Sequence, residues 1–560
     1  MTNDRLQDLS QNGVDVLIIG AGINGAGLFR DLCEQGLRCL IVDKADFGSG
    51  TSAAPSRLIH GGLKYLETGE FRLVAQSTLE RNLLLRNAPH CVEPLPTVIP
   101  IFSWTKGIWP ALRTLFGSTT AARSRGAVLL KIGLSIYDFY GARSNVMPRH
   151  RLVGKTRALR EMPLLTPRIV AAGTYYDAKI TRPERLVYEL LADGMNANPA
   201  SLALNYTALD SCTDGTLTFT PSDCQRFTLR PTIVVNAAGP WIDPLNATLG
   251  APTKLIGGTK GSHILLDHPE LVRCLKGQMI YFEADDGRIC LVFDYLGRAL
   301  VGSTDIKAAD PDGVRCEDDE IEYLLTSLRA LLPGLTFDPS QIVYIYSGIR
   351  PLPASDAANP GLISRDHSSP MIDATKDRPF PIISLVGGKW TTFRGFAEEV
   401  ADQILSRLGR TRKTSTRTLP IGGGKNFPTD AAAVSAWLAR AAGQTRLSED
   451  RLTQLLARYG TTAMQYLTHV SKWTDADRLP TATDYSLAEI DWIAGGESVV
   501  HLADVVMRRT TLAITGSIAL ADLRQIAEVM GDAFGWSPDQ KAEEIASVTR
   551  QLVEKNRMHL

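Results

Sequence analysis

The chain begins polar and turns apolar at residue 16, where Val16, Leu17, Ile18 and Ile19 follow one another without a break. A short continuous apolar run marks a strand covered on both faces, because a half-exposed strand alternates apolar with polar positions. A glycine turn comes next, then apolar positions at helical spacing through Leu28 and Leu32 to Gly36, and a second strand-like run over residues 38–43. Strand, helix and strand within about 30 residues form the βαβ entry to a doubly wound parallel sheet. Two later apolar runs, 232–238 and 382–386, also end in glycine turns, at Ala238-Gly239-Pro240-Trp241 and at Gly387-Gly388. Between them, 261–266, 288–294 and 298–303 read as strands of an antiparallel sheet. From Thr429 to Arg557 the pattern is almost wholly helical, with apolar positions three and four apart and few glycines. The composition shift at Pro420-Ile421-Gly422-Gly423-Gly424 marks the boundary.

The expected fold is therefore α/β: a Rossmann-like nucleotide domain interleaved with an antiparallel-sheet substrate domain, followed by an all-helical C-terminal domain. The expected cofactor segments are 14–95, 165–245 and 340–415, and the substrate segments 96–164 and 246–339. Together they make a region spanning 14–420, and the helical domain spans 425–560.

Composition narrows the function. Of 560 residues, 44% are hydrophobic, and 60 Lys or Arg balance 60 Asp or Glu, which excludes a dedicated nucleic-acid binder. The eight cysteines contain no C-x-x-C pair, so neither a zinc site nor any other metal centre is expected, and the thiols are read as reduced. Residues 1–13 lack the features of a secretory signal, and no window has the ~18 apolar residues of a spanning helix. The expected location is cytoplasmic.

Gly20, Gly22 and Gly25 form G-x-G-x-x-G directly after the first strand. Their roles would be a tight turn, close approach of backbone to a diphosphate, and close packing of helix on strand. The helix N-terminus favours the negative charge. Asp43, at the end of the second strand, suits a ribose hydroxyl. A nucleotide domain assembled from segments some 360 residues apart resembles FAD proteins of the glutathione-reductase and amino-acid-oxidase type. FAD is the expected cofactor.

Further blocks carry a closer resemblance. They include Gly50-Thr51-Ser52, Arg57-Leu58-Ile59-His60-Gly61-Gly62-Leu63-Lys64-Tyr65-Leu66-Glu67, Ala88-Pro89-His90 and Asp177. Later come Lys260-Gly261-Ser262-His263, Gly302-Ser303-Thr304-Asp305, Ser347-Gly348-Ile349-Arg350-Pro351, Ser364-Arg365-Asp366 and Gly387-Gly388-Lys389-Trp390-Thr391-Thr392. In order and spacing they resemble the FAD-dependent glycerol-3-phosphate dehydrogenases of the aerobic, quinone-linked type. Two positions depart from that family: Lys64 replaces the usual arginine, and Ala53-Ala54-Pro55 replaces a run of serines or threonines.

The resemblance implies oxidation of sn-glycerol 3-phosphate to dihydroxyacetone phosphate, with hydride transfer to flavin N5 and electrons passed to a quinone or another acceptor. It places Arg350 beside the reacting hydroxyl, where its charge would stabilise a developing alkoxide; the plain alternative is a structural ion pair. Lys389, after two glycines, would stabilise charge on the reduced ring or act as base. His60 and His263 are the other base candidates. Lys64, Tyr65, Thr304 and Arg365 are candidates for the phosphate. Thr51, Ser52, Arg57, Ala238, Gly239, Gly388, Thr391 and Thr392 are candidates for the flavin side. A different polyol phosphate, such as erythritol phosphate, is the first alternative substrate; an amino-acid or amine oxidase of the same fold is a more distant rival, and a non-enzymatic flavin scaffold a third.

Residues 106–160 hold eleven Lys or Arg against one acid, Asp138, with bulky apolar residues such as Trp109 and Phe116 interleaved. Such a segment fits an anionic membrane surface, here the inner face of the cytoplasmic membrane, or a basic rim around an anionic substrate's entrance. A second copy of the chain is a further candidate partner.

Overall fold

The computed structural model describes residues 2–63, 70–104, 127–141, 147–222, 225–308, 310–354, 366–469 and 474–560. The run at residue 16 is strand Val14–Ile19, at the heart of a six-stranded sheet. Its parallel neighbours are Cys39–Val42 and Pro231–Asn236, flanked by parallel Leu202–Leu204 and Ile382–Ser384. Met371–Ile372 closes one edge antiparallel. Alternation explains the unbroken apolar run. Val16 and Ile18 face a core that includes Leu28, Phe29 and Leu32 of helix Ile23–Glu34. Leu17 and Ile19 face the opposite core, with Leu6, Leu9 and Phe219.

The second sheet runs in the order Ile306–Lys307, Ile256–Leu266, Arg298–Gly302, Ile289–Tyr295, Met279–Glu283, Val92–Ile101, Ala171–Ile180, Leu58–Ile59. Ile342–Pro353 pairs antiparallel along the whole of Ile256–Leu266. The three expected antiparallel strands are all present. The segment edges, however, differ from the sequence reading. Leu58–Ile59, Ala171–Ile180 and Ile342–Pro353 lie in stretches read as cofactor segments, yet belong to the second sheet. A buried strand looks alike in either sheet, and pairing alone decides its membership.

From Ala431 onward the named elements are helices, among them Ala431–Ala442, Glu449–Tyr459, Leu487–Gly496, Leu520–Phe534 and Pro538–Arg550. Side-chain caps start several: Asp430 accepts from Ala433 N at 2.8 Å and Ser486 from Glu489 N at 3.1 Å. These helices share one core with the second sheet, joining Leu452, Ile490 and Ile526 to Leu265, Phe293 and Tyr344. Where the chain enters the helical unit, two glycine segments are pressed together. A Cβ on Gly423 would lie 2.0 Å from Tyr459 O, and one on Gly460 2.2 Å from Gly423 O. Gly423→Ala forces these backbones apart and should cost about 1–3 kcal/mol, the range for overpacking a tight contact. Equilibrium denaturation in urea measures it.

Candidate functional site

The glycine turn is built to leave room. Gly20 has φ +109, and a Cβ there would lie 2.6 Å from Ala237 O; a Cβ on Gly25 would lie 2.0 Å from Gly20 O. Gly22 is the N-cap of helix Ile23–Glu34 and offers no capping side chain. Ser52 reaches across instead, accepting from Ile23 N at 2.9 Å. Asp43 Oδ2 accepts from Ala21 N at 2.7 Å and Oδ1 from Ala45 N at 3.0 Å, which braces the turn. Burial pushes the Asp43 carboxyl up to about 6, against the opposing pull of those amides. Two later turns border the same sheet end. Ala238 N donates to Asn236 Oδ1 at 3.1 Å, and the space around Gly239 is open. Gly387 and Gly388 both have positive φ, with Asn24 close to Gly388, while Trp390 Nε1 donates to Ser52 O at 3.1 Å. Thr391 and Thr392 are buried behind this turn. A helix N-terminus whose N-cap is a glycine and whose first amide alone is taken, by Ser52, glycines packed too closely to admit a Cβ, and an acid at the neighbouring strand end fit a dinucleotide diphosphate and its ribose.

Beside this cradle lies the face of the second sheet. Arg350 passes over Gly261, where a Cβ would lie 2.2 Å from its NH2. Its guanidinium meets Asp305 Oδ1 at 3.0 Å and Ser303 Oγ at 3.0 Å, and stays partly open to solvent. His263 crosses Gly302 in the same way, stacks on Tyr346 at 4.9 Å, and has Nε2 2.9 Å from Ser56 Oγ. Burial first, then the charges of Arg350 and Arg57, hold its imidazole well below the usual range. His60 follows strand Leu58–Ile59, and its loop is pinned where Gly61 N donates to Asp177 Oδ1 at 2.9 Å. Arg81 and Tyr137 hold that aspartate in turn.

The loop through residues 51–57 joins cradle to sheet. Thr51 Oγ1 donates to Ile349 O at 2.6 Å, and Tyr346 OH to Pro55 O at 2.8 Å. A Cβ on Gly348 would lie 2.6 Å from Ala54 Cβ. The Ala-Ala-Pro departure therefore sits at a contact that favours a small side chain at 54.

Two candidates prove to be committed elsewhere. Thr304 is buried: its hydroxyl donates to Glu320 at 2.6 Å and accepts from Ser262 N at 2.9 Å, so it supports the strands rather than facing a phosphate. Burial works to raise the Glu320 carboxyl, but Lys260, Thr304 and Glu317 N together hold it below its ordinary value. Arg57 makes a buried bidentate pair with Glu184, 3.0 Å in both contacts, and lies over the Tyr295 and Tyr346 rings. It anchors the loop through Glu184 and Ala53 O. Lys64, Tyr65 and Arg365 lie outside the described residues, as do 105–126 and 142–146 of the basic segment. Sequence reasoning passed over Ser303 and Asp305. In an extended segment they share one side and Thr304 takes the other, so alternation within the Gly-Ser-Thr-Asp block was the available signal.

A diphosphate cradle facing a sheet that carries a held arginine and a neutral histidine defines a two-domain flavin-type oxidoreductase. The comparisons agree: the model of the family described as FAD dependent oxidoreductase matches residues 15–403, and that of the C-terminal domain of alpha-glycerophosphate oxidase matches 414–541. The chain belongs to the FAD-dependent oxidoreductase family, and its cofactor is FAD. It is 31% identical to a glycerol-3-phosphate dehydrogenase of Synechocystis over 96% of each chain. To the aerobic glycerol-3-phosphate dehydrogenase of Bacillus subtilis it is 27% identical, over 98% of this chain and 96% of that one. In fold it is similar to the FAD complex of the glycerol-3-phosphate dehydrogenase from Bacillus halodurans: TM-score 0.74, 21% identity, 99% of this chain and 97% of that one.

His263 has a measurable consequence. Its folded-state value lies below the ~6.5 of an unfolded chain, so the unfolded state binds the extra proton. The neutral ring costs nothing above that pH, and stability falls as the pH drops below it. His263→Gln should flatten the decline between pH 7 and 5 in urea midpoints.

Proposed function

We propose that the chain oxidises sn-glycerol 3-phosphate to dihydroxyacetone phosphate. The observation that carries this reading is the end-to-end likeness to relatives named for that activity, extending through the C-terminal helices. FAD, when held on the Gly20–Gly25 turn, would supply the two-electron acceptor for the substrate's carbon-bound hydrogen. The chain's own residues then have three tasks.

Arg350, kept in place by Asp305 and Ser303, stabilises negative charge on the reacting oxygen as its proton leaves. His60 is the candidate for that proton, while His263, held neutral in a buried stack, orients its neighbours through Ser56. Lys389, on the Gly387–Gly388 turn, supplies positive charge on the cofactor side. Lys64, Tyr65 and Arg365 bind the phosphate. Lysine at 64 lacks a guanidinium's two-pronged grip and leaves room for a longer polyol phosphate. In this reading residues 14–420 carry cofactor and substrate, and 425–560 form the helical unit.

The electron acceptor is a membrane quinone, and the basic segment 106–160 brings the protein to it. Support comes from the segment's described part. Helix Ala127–Gly141 buries Leu130, Leu134 and Tyr137 but leaves Ile132 54% exposed. The proposed attachment is to the membrane surface; among the described residues no helix is long and apolar enough to cross a membrane.

Anaerobic mixing with a panel of three- and four-carbon polyol phosphates tests the substrate. Flavin absorbance should bleach fastest with sn-glycerol 3-phosphate, and bleaching with none of the panel would end the proposal. Arg350→Lys should slow that bleaching roughly 100- to 1,000-fold while altering substrate affinity far less.

Liposomes test the surface. The protein should pellet with anionic vesicles, less so at high salt, and still less when Arg113, Arg123 and Arg125 become glutamine. If the basic segment instead rims the substrate entrance, the same triple variant raises KM and leaves pelleting unchanged.

A further inference from the structure

The loop after the second nucleotide strand is held from two sides. On its inner side, Asp43 takes the amide of Ala21 at 2.7 Å and Gly48 N donates to Ala21 O at 3.0 Å. Residues 43–48 thus grip both polar groups of the residue between Gly20 and Gly22. On its outer side stands Asp46, midway along the same loop and wholly buried. Its Oδ1 accepts from Arg509 NH2 and from Asn205 Nδ2, both at 2.9 Å. Its Oδ2 accepts from Arg509 NH1 at 2.8 Å and Arg508 Nε at 2.5 Å.

Both arginines come from the far end of the chain, on the π-helical turn Val505–Arg509 of the helical unit. They are themselves held. Arg508 NH2 reaches Asp504 Oδ1 at 2.5 Å, and Arg509 Nε donates to Glu497 O at 3.0 Å. Tyr206, next to Asn205, donates to the same Asp504. Two cations and two anions therefore balance in a largely buried site, each with several hydrogen bonds. A buried charge cluster of this kind tolerates one geometry, and losing a member leaves an unanswered charge.

Such a cluster could sit anywhere in the interface and hold the domains together equally well. It ends instead on the six-residue bridge that fixes the diphosphate turn. We infer that Asp46, Arg508 and Arg509 form a positioning cluster through which the C-terminal helices set the affinity for FAD. The arginines act on the cofactor only through Asp46 and the loop. Coupling is reciprocal, so FAD in its cradle tightens the Val505–Arg509 turn in return.

The test uses full-length holoenzyme and no substrate, so it stands or falls apart from the reading of the substrate. FAD release is followed by the rise of flavin fluorescence after dilution. Asp46→Asn and the milder Arg508→Gln, which leaves the Arg509 pair in place, should speed release roughly 5- to 150-fold. Asn556→Ala is the control. It removes a bond to Ile345 O, 2.8 Å, elsewhere between the helices and the second sheet, and should lower Tm with release near wild type. In the flavin-stripped wild-type chain, adding FAD should slow amide exchange across 505–510, and this protection should vanish in Arg508→Gln. If Asp46→Asn does not fold, Arg508→Gln decides. Release from Arg508→Gln no faster than from Asn556→Ala, or no FAD-dependent protection in the wild type, overturns the inference.

Discussion

Residues 43–57 run between two sheets, and a buried loop has to find a partner for each polar group it carries inside. This demand organises the molecule. Asp43 answers the glycine turn, Ser52 the helix N-terminus, and Thr51 the carbonyl of Ile349 next to Arg350. Tyr346 answers Pro55, Glu184 answers Arg57, and Arg508 with Arg509 answers Asp46. The cofactor cradle, the arginine-bearing strand and the distant helices are thereby tied to one stretch of chain. Small displacements of that stretch must be felt at all three.

The nucleotide half was legible because its signals are local. An unbroken apolar run, a spaced set of glycines and a terminal acid lie within 30 residues, and the structure assembles them with the expected neighbours. The second sheet was legible as strands but less so as a sheet, because Ile342–Pro353 and Ala171–Ile180 carry no mark of which layer they join. The glycines of the site mark where a side chain needs room, as at Gly261 for Arg350 and Gly302 for His263. The sequence is silent where a side chain finds a buried partner far away. Arg57 meets Glu184 and Thr304 meets Glu320, and no local pattern announces either pairing.

The charge balance also reads differently in three dimensions. Sixty cations and sixty anions look like an ordinary solvated surface, yet many of the strongest pairs are internal. Arg185 binds Glu497 bidentately between nucleotide domain and helices, and Arg451 joins Asp475 and Glu489 inside the helical unit. Isolated buried pairs of this sort add little net stability, since desolvation offsets their attraction. What they contribute is a single allowed arrangement of parts that meet over long sequence separations.

The shared core and the late arginines carry a consequence for how the polypeptide is born. Strand Ile382–Ser384 completes the parallel sheet begun at Val14, and Arg509 reaches back to Asp46 from near the C-terminus. At roughly 5–20 residues per second, the ribosome needs on the order of 25–100 s to reach that arginine. For all that time a nascent chain carries its first strands, its glycine turn and much apolar surface without their final supports. Assembly of the flavin pocket is thus a closing event of synthesis, because its last supports are made among the last residues.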